Sequence, residues 1–588
     1  MGTKIVKLMS GNEAIARGAY EAGVRVATGY PGTPATEILQ SLSAFPGLHA
    51  EWSVNEKVAL EVASGASIAG ARAICAMKHV GLNVASDPLM TLSYTGVGGG
   101  LVIVSADDPG HHSSQNEQDN RNYAAFSKIP MLEPSDSAEA LSFTRLAFEI
   151  SERFDTPVLI RTTTRVSHSE SVAKPGTPSI PGPPPGPAKL PGKYVMIPGV
   201  SEERHRLAEE RLDRLKEFAE GFEGNTVERH GNEVGIITSG ISYQYVREAV
   251  PDASVLKLGM GYPLPARMVR EFAASVRELF VVEELDPFME AQVLSLGVRV
   301  KGKLTNPGFL PLVGELNPDI VASAFGKETG LKHPPVSGLP LRPPCLCPGC
   351  PHRGVLYALN RHGYFVAGDI GCYTLGFMEP LSAIHTTLCM GAGIGQAHGM
   401  LKAMEAGGEA SPHRRKVAAV IGDSTFLHSG ITSLLNTLYN RGGGTVFILD
   451  NRTTAMTGLQ PHPGTGRTLM GGLSGRSDIR DIVRGLGIKD VSVVDPYNLK
   501  PIEKLLSMEP PEDAPRVVIA RRPCVLLTKD KPAKAYAVNA SACAGCGECL
   551  MLACPAISFV DGHSEIEAAL CTGCSLCKQV CAFGAITL

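Results

Sequence analysis

The chain has 588 residues, of which 44% are hydrophobic and 19% are charged, and its formal net charge is −3. This length allows roughly three to five domains, and the lack of a basic stripe argues against a nucleic-acid-binding protein. The sequence has no run of about 18 uninterrupted apolar residues and no recognisable leader, so we expect a cytoplasmic protein without a membrane span. Eight of the 15 cysteines lie in the last 46 residues, and without a leader this clustering favours metal ligation over disulfides.

Residues 1–170 alternate short apolar runs with helical patterns, which predicts a doubly wound α/β domain. The predicted strands occupy 24–28, 72–77, 100–105 and 158–161. The first strand is followed by a loop, Gly-Tyr-Pro-Gly-Thr-Pro at 29–34, which includes Thr33. A turn with only a structural role would explain this loop equally well. A later helix rich in small residues opens with Glu56. The helix dipole alone would favour a glutamate in that first turn.

A long polar loop, 107–121, follows the predicted strand at 100–105. Polar loops at strand ends often form the rim of a substrate site, and Arg121 could bind a carboxylate through two parallel hydrogen bonds. An ordinary exposed polar loop explains most of the same residues equally well.

The middle of the chain is expected to connect and support the rest. Residues 171–232 comprise a proline-rich linker and a charged helix at 201–222. Residues 233–335 form a smaller α/β domain with strands at 234–238, 253–258 and 278–283. Glu283 and Glu284 are expected at a solvated strand end, with catalysis as the alternative. A second proline-rich boundary spans 336–344.

Two polar residues follow neighbouring predicted strands in the next segment. Asp423 comes after the strand at 417–421, and Asn451 follows the strand at 445–449, with a crossover helix at 426–438. Both side chains should therefore lie in the crevice at the carboxyl edge of a parallel sheet. A carboxylate and an amide oxygen suit Mg²⁺. A plain βαβ unit with polar turns is the alternative.

Three further motifs lie upstream of this pair. Cys-Pro-Gly-Cys-Pro-His-Arg spans 347–353 and includes His352, and Gly-Asp-Ile-Gly-Cys spans 368–372 and includes Asp369 and Cys372. A glycine-rich turn at 390–395 precedes a helix of small residues, and alone it is weak evidence for phosphate binding.

The last 46 residues carry two cysteine triplets, each followed by a fourth cysteine. The first run is Cys543, Cys546, Cys549 and Cys554; the second is Cys571, Cys574, Cys577 and Cys581. In two-cluster ferredoxins the fourth cysteine of each run binds the other cluster. We therefore predict one [4Fe–4S] cluster on Cys543, Cys546, Cys549 and Cys581, and a second on Cys571, Cys574, Cys577 and Cys554. A zinc ribbon would use fewer thiolates.

Together these motifs resemble the thiamine diphosphate-dependent 2-oxoacid:ferredoxin oxidoreductases, in particular the α subunits that act on indolepyruvate. The resemblance implies Mg²⁺ on Asp423, Asn451 and the Thr453 carbonyl, with Gly422 and Ser424 beside the diphosphate; Ser424 stands where the family has glycine. His352, Asp369 and Cys372 join the predicted cofactor site.

The same resemblance assigns roles in the first 170 residues. Glu56 would hydrogen-bond the aminopyrimidine ring of thiamine, with Glu51 and Glu61 as competing candidates. Thr33 would face the substrate, and Arg121 would hold its carboxylate.

A third cluster on Cys347, Cys350, Cys372 and Cys524 is also implied, with buried, redox-silent cysteines as the alternative. Residues 1–170 would be a pyrimidine-type domain, 233–335 a transketolase C-terminal-like domain, 340–530 a diphosphate-type domain, and 536–588 a ferredoxin-like domain.

The activity that the resemblance implies is oxidative decarboxylation of aryl pyruvates with coenzyme A, giving arylacetyl-CoA and carbon dioxide and reducing ferredoxin. A smaller β subunit would complete an α2β2 assembly. The alternatives are a different 2-oxoacid substrate, a non-oxidative thiamine-dependent decarboxylase, and an electron-transfer scaffold with a degenerate thiamine site.

Overall fold

The computed structural model of the protein describes residues 6–179, 182–328, 338–340, 342–406, 416–528 and 534–588. The chain divides into two compact units, Met1–Pro335 and Val336–Leu588. Parts of the predicted boundary at 336–344, and the segment just before the cysteine-rich tail, lie outside the described residues. The predicted mixed α/β class with parallel sheets is confirmed. In the described ranges, every helix is too short or too polar to cross a membrane.

The first unit contains thirteen strands in the described ranges. They are β1 (Lys7–Ser10), β2 (Val26–Gly29), β3 (His49–Trp52), β4 (Ala73–Lys78), β5 (Leu101–Asp107), β6 (Met131–Leu132), β7 (Val158–Thr163), β8 (Glu170–Ala173), β9 (Thr226–Glu228), β10 (Val234–Ser239), β11 (Ser254–Leu258), β12 (Met260–Tyr262) and β13 (Glu278–Val282).

The helices of this unit lie between the strands. They are α1 (Gly11–Glu21), α2 (Thr36–Ser43), α3 (Glu56–Ile68), α4 (His79–Val84), α5 (Ser86–Thr95), α6 (Arg121–Ser127), α7 (Ser137–Phe154), α8 (Thr164–His168), α9 (Pro191–Tyr194), α10 (Pro198–Ala219), α11 (Gly240–Ala249), α12 (Ala266–Ala274), α13 (Phe288–Ser295) and α14 (Pro318–Ala324).

A seven-stranded sheet organises the first unit, in the order β12–β6–β7–β5–β4–β2–β3. From β6 to β3 all neighbours are parallel. Strands β4 and β5 are buried along their whole length, because helices cover both faces of a doubly wound sheet. The short strand β12 pairs antiparallel with β6 and was not predicted. It carries a segment of 233–335 into the sheet formed mainly by 1–170.

A second sheet in this unit has the order β13–β10–β11–β9. Its three longer strands match those predicted at 234–238, 253–258 and 278–283, and they are parallel. The charged helix α10 buries Leu212 and Leu215 together with the arginines Arg204 and Arg211, so its packed face is not purely apolar.

The second unit is built on a five-stranded parallel sheet, β14–β15–β16–β18–β17. Its strands are β14 (Phe365–Ala367), β15 (Val417–Gly422), β16 (Thr445–Asp450), β17 (Val491–Val494) and β18 (Arg516–Arg521), and the tail adds the short strands β19 (Ala537–Val538), β20 (Ile557–Val560), β21 (His563–Ile566) and β22 (Ile586–Thr587). The helices are α15 (His352–Arg361), α16 (Ala392–Ala406), α17 (Asp423–Thr425), α18 (Ile431–Tyr439), α19 (Ile479–Gly485), α20 (Leu499–Ser507), α21 (Val525–Thr528) and α22 (Leu576–Val580).

The cysteine-rich tail shares a hydrophobic core with the five-stranded sheet. Leu552, Leu576 and Ile586 of the tail belong to the same buried cluster as Leu356 of α15 and Ile502 of α20. The tail is therefore packed as part of the second unit.

Arg121 does not have the free guanidinium that was predicted for a substrate clamp. It is 1% exposed, and its nitrogens donate to the carboxylates of Asp119 and Glu283 and to the carbonyls of Glu284 and Asp286. These contacts join α6 to the end of β13. The structure therefore makes Arg121 a buried link between two elements of the first unit, with all three guanidinium nitrogens bonded to protein groups, which disfavours the predicted clamp role.

The expectation that Glu283 and Glu284 lie at a solvated strand end is wrong. Glu283 is 2% and Glu284 3% exposed. The Glu283 carboxylate accepts from Arg121 Nη1 at 2.8 Å and from the backbone of Met289 at 2.8 Å. The Glu284 carboxylate accepts from the Leu316 backbone at 2.9 Å. Burial raises the pKa of both carboxyl groups; the charge of Arg121 opposes that rise at Glu283, and the charge of Arg161 opposes it most at Glu284.

We expect Arg121→Met to destabilise the protein by about 3–5 kcal/mol, because removing one partner leaves buried carboxylates uncompensated. Denaturant unfolding measures the loss. Arg277→Ala is the matched control, since Arg277 pairs with Glu233 at 2.9 Å on the surface and should cost less than about 1 kcal/mol. Unchanged stability with a large rise in substrate KM would restore the clamp role.

Candidate active site

The parallel pairing of β15 with β16 brings Asp423 and Asn451 to one edge of the sheet. The two strands pair from Ala418–Thr445 to Gly422–Leu449, and Asp423 and Asn451 follow directly, both buried. The Asp423 carboxylate accepts from the Arg452 backbone at 2.7 Å, and the side-chain oxygen Oδ1 of Asn451 accepts from the Thr453 backbone at 3.2 Å. The predicted placement at neighbouring strand ends is confirmed.

Two histidines complete the polar surroundings of this pair. His462 Nε2 lies 3.2 Å from the Asp423 carboxylate, and His352 Nε2 lies 3.4 Å from the Asn451 amide nitrogen. Burial lowers the pKa of His352 to about 4, although the Asp423 charge opposes the shift, so His352 is neutral at pH 7. No motif marks His462, which lies in the loop after Asn451.

The donor set at the strand ends fits a hard divalent cation. A carboxylate, a side-chain amide oxygen and nearby backbone carbonyls are oxygen ligands of the kind Mg²⁺ takes together with phosphate and water. Asp423, Asn451 and Thr453 are 2%, 6% and 3% exposed. The residues predicted to bind Mg²⁺ therefore lie together, and their chemistry suits the ion.

Because Gly422 has no side chain, the segment that contains Asp369 can pack closely against the end of β15. A Cβ at position 422 would lie 2.9 Å from the Tyr373 ring, and the Tyr373 hydroxyl donates to the Ile370 carbonyl at 3.1 Å. This contact holds 369–373 against the end of β15. Ser424, at the family's glycine position, begins the turn after the strand, and its backbone donates to Asp423 at 2.8 Å.

Asp369 binds the glycine-rich turn from which α16 begins. Its carboxylate accepts from the Gly391 backbone at 2.7 Å and from the Ile370 backbone at 2.6 Å. Burial raises the pKa of Asp369 to about 7, and these backbone donors oppose the rise. Asp369 thus organises this turn beside the strand ends.

Four cysteines interact with one another, and one of them, Cys524, adjoins Asn451. Burial raises the pKa of Cys350 to about 12 and that of Cys372 to about 11. The charge of Cys347 raises the pKa of Cys350, Cys372 and Cys524 further. Cys524 donates its backbone N–H to the Asn451 carbonyl at 2.9 Å. The four cysteines of the third predicted cluster are therefore electrostatic neighbours, although the described residues contain no group of three His, Cys, Asp or Glu side chains already arranged to hold a metal ion.

The tail contains two small cavities, each lined by four cysteines. One is lined by Cys543, Cys546, Cys549 and Cys581. The other is lined by Cys554, Cys571, Cys574 and Cys577. Each cavity thus takes three thiols from one run and the fourth from the other, which is the exchange expected for two [4Fe–4S] clusters.

Residues of the main domain form part of the second cavity. Gly349 and Arg353 line it together with its four cysteines. Arg353 is 1% exposed and donates to the carbonyls of Leu346, Cys347 and Leu552. Burial raises the pKa of both Cys350 and Cys574, and the Arg353 charge opposes it in each case. The guanidinium therefore lies near both thiol groups.

In the first unit, Glu56 is the buried member of the three candidate glutamates. It begins α3 after the Asn55 cap, whose side chain accepts from the Val58 backbone at 2.9 Å, and it is 6% exposed. A Cβ at Gly81 would lie 2.7 Å from Glu56 Oε1, so Gly81 makes room for the carboxyl group. Glu51 binds His49 and Ser53, and the exposed Glu61 pairs with Lys57.

Thr33 lies in the loop after β2, next to the polar loop that follows β5. Its carbonyl oxygen is 3.4 Å from the Ser113 hydroxyl. Asp108 organises the polar loop by accepting from the Ser113 backbone at 2.8 Å and from the Ser114 and Thr164 hydroxyls. Thr33 and Glu56 therefore both lie at the carboxyl edge of adjacent strands, β2 and β3.

Two family models match the chain. The model described as "Pyruvate flavodoxin/ferredoxin oxidoreductase, thiamine diP-bdg" matches residues 17–178. The model described as "Thiamine pyrophosphate enzyme, C-terminal TPP binding domain" matches residues 369–520. The first region contains Thr33 and Glu56, and the second contains Asp423 and Asn451.

Curated relatives match nearly the whole chain. The indolepyruvate oxidoreductase subunit IorA of Archaeoglobus fulgidus is 40% identical, covering 99% of this chain and 97% of that protein. The protein of the same name from Methanothermobacter thermautotrophicus is 42% identical, covering 98% and 96%. That from Pyrococcus abyssi is 39% identical, covering 98% and 96%.

Proposed function

The chain belongs to the family of indolepyruvate oxidoreductase IorA subunits, and we propose on that basis that it is the catalytic α subunit of an enzyme that oxidatively decarboxylates aryl pyruvates. An aryl pyruvate and coenzyme A give arylacetyl-CoA, carbon dioxide and a proton, and two electrons pass singly to two ferredoxin molecules. Indolepyruvate is the substrate class that the relatives' name indicates.

The observation that carries this proposal is the quartet of cysteines beside Asp423 and Asn451. The Cys524 backbone N–H donates a hydrogen bond to the backbone carbonyl of Asn451. Thiols suited to binding an electron acceptor therefore adjoin the residues suited to Mg²⁺ and a diphosphate. A decarboxylase that releases an aldehyde needs no such acceptor. The juxtaposition therefore favours the oxidative reaction.

When bound, thiamine diphosphate supplies a thiazolium that accepts the electron pair released as carbon dioxide leaves. Asp423, Asn451 and the Thr453 carbonyl would hold Mg²⁺ against its diphosphate, with Gly422 and Ser424 leaving room for the phosphates. Glu56 would hydrogen-bond the aminopyrimidine ring, since it is the buried glutamate at a strand end. Thr33 would contact the substrate from the loop after β2.

Three iron–sulfur clusters would carry the electrons away from this site. Cys347, Cys350, Cys372 and Cys524 would bind the cluster nearest thiamine. Arg353, near Cys350 and Cys574, supports a route from this cluster to the one on Cys554, Cys571, Cys574 and Cys577. The cluster on Cys543, Cys546, Cys549 and Cys581 would then be the exit to ferredoxin.

A smaller β subunit would complete the enzyme, in an α2β2 assembly. The relatives are named as subunits, which implies at least one partner chain. Coenzyme A, the aryl pyruvate and ferredoxin are the remaining partners.

The direct test is an anaerobic assay of the complete enzyme with indolepyruvate, phenylpyruvate, pyruvate and 2-oxoglutarate. We expect coenzyme A-dependent reduction of ferredoxin, with the highest kcat/KM for the two aryl pyruvates. Release of aryl acetaldehyde without coenzyme A or ferredoxin would identify a non-oxidative decarboxylase, and a preference for 2-oxoglutarate would change the substrate class.

Substitution of Glu56 should impair turnover, whereas substitution of Asp423 should impair cofactor binding. Glu56→Gln should reduce kcat by about 100-fold or more, the usual loss when a proton-transfer group is removed, while thiamine diphosphate still binds. Asp423→Ala should abolish binding of thiamine diphosphate and Mg²⁺, because a metal ligand is lost. Isothermal titration calorimetry measures binding, and Glu61→Gln is the control for Glu56. Normal turnover by Glu56→Gln would remove its assigned role.

Iron analysis tests the third cluster. We expect about twelve iron atoms per chain in anaerobically prepared protein, four for each set of cysteines. Cys372→Ser should lose about four, whereas Cys75→Ser, which alters a buried cysteine outside the three sets, should lose none. About eight iron atoms in the wild type would exclude a cluster on Cys347, Cys350, Cys372 and Cys524.

A further inference from the structure

Lys78 is a buried cation without a carboxylate partner in the described part of the chain. It ends β4, is 9% exposed, and donates from Nζ to the Ser113 carbonyl at 2.6 Å. That carbonyl accepts one of the three ammonium protons. Buried charges in proteins are normally paired, so this ammonium group has the capacity to bind an anion.

Three other buried cations of the first unit are paired with carboxylates, whereas Lys303 and Arg211 are bonded to backbone carbonyls. Arg121 binds Asp119 and Glu283, Arg161 binds Asp107 and Glu133, and Lys257 binds Glu139. The charge of Asp108 opposes the effect of burial on the pKa of Lys78, but the Asp108 carboxylate already accepts hydrogen bonds from Ser113, Ser114 and Thr164. The Lys78 ammonium group is therefore buried without the direct ion pair that Arg121, Arg161 and Lys257 have.

The strand order places Lys78 at the same edge of the sheet as the residues assigned to catalysis. Strands β5, β4, β2 and β3 are consecutive neighbours and parallel, so Lys78 at the end of β4 shares its edge with the Thr33 loop and with Glu56. Two close approaches show how tight this arrangement is. A Cβ at Gly32 would lie 3.0 Å from Lys78 Cβ, and a Cβ at Gly81, the third residue of α4, would lie 2.7 Å from Glu56 Oε1.

The charge state of Lys78 suits anion binding near neutral pH. Burial lowers the pKa of Lys78 to about 8, and the Asp108 charge opposes that shift. The group is therefore mainly protonated at pH 7. Binding an anion would stabilise the ammonium form further.

We propose that the Lys78 ammonium binds the carboxylate of the 2-oxoacid substrate beside Thr33 and Glu56, and this assignment rests on the proposed function. Arg121 is already bonded to Asp119, Glu283 and Glu284, which favours Lys78 for that role. A lysine binds a carboxylate as a point charge, whereas arginine would hold it through a bidentate fork. The weaker hold suits a carboxylate that must leave as carbon dioxide, because tight binding of the ground state would oppose decarboxylation.

The test compares an acid with its neutral analogue in the complete enzyme with its partner subunit. Inhibition constants are measured for 3-phenylpropionate and 3-phenylpropionamide, which differ in the carboxylate and do not react. The wild type should bind the acid at least about 10-fold more tightly than the amide, as expected for a charged pair in a buried site. Lys78→Met should remove this preference and raise the substrate KM by a similar factor, and Lys78→Arg should restore part of it.

A structural role for Lys78 would be revealed by the control Asn116→Ala. Asn116 bonds His79 at 3.0 Å and belongs to the same loop as Ser113, so this variant loosens the loop and leaves the ammonium group in place. We expect it to retain the preference for the acid. Equal loss of acid and amide binding in Lys78→Met, or an unchanged ratio of the two, would overturn the proposal. A wild type that turns over no 2-oxoacid would instead overturn the proposed function.

Discussion

Parallel strand pairing is the constraint on which both candidate sites depend. In a parallel sheet the carboxyl ends of neighbouring strands meet at one edge, so residues far apart in sequence are brought together without any direct contact between them. In the second unit this edge joins Asp423 and Asn451, and in the first it joins the Thr33 loop, Lys78 and Glu56. The helices cover the two faces of each sheet and leave that edge for ligands.

The parts of the site that follow a strand or carry a spacing pattern could be predicted from the sequence. Asp423 and Asn451 each follow a β-branched run, and two such runs with a helix between them form a parallel pair. The tail cysteines repeat with a spacing that defines the exchange of the fourth ligand. In these cases the sequence neighbours of a residue determine where it lies.

Residues whose environment comes from distant segments could not be predicted in this way. Arg121 meets Glu283, which is 162 positions away, and no local pattern reports that partner. The polar sequence around Arg121 suggested an exposed loop, yet the ion pairs bury it. His462 approaches Asp423 from a loop 39 positions later, and β12 joins a sheet whose other strands come from earlier in the chain. Lys78 was missed because it lies in an apolar strand where a single lysine carries no motif.

Gly349 and Arg353 line the second cysteine cavity of the tail, although both residues precede the parallel sheet in the chain. The tail is therefore not a self-contained module. Arg353 bonds to Leu552 across 199 positions of sequence, and a Cβ at Gly349 would meet the Thr572 hydroxyl. The tail therefore resembles a ferredoxin in its cysteines but lacks a ferredoxin's independence. The wall of its second cysteine-lined cavity is completed by the segment that contains Gly349 and Arg353, so separating the tail from the parallel-sheet domain would open that cavity to solvent.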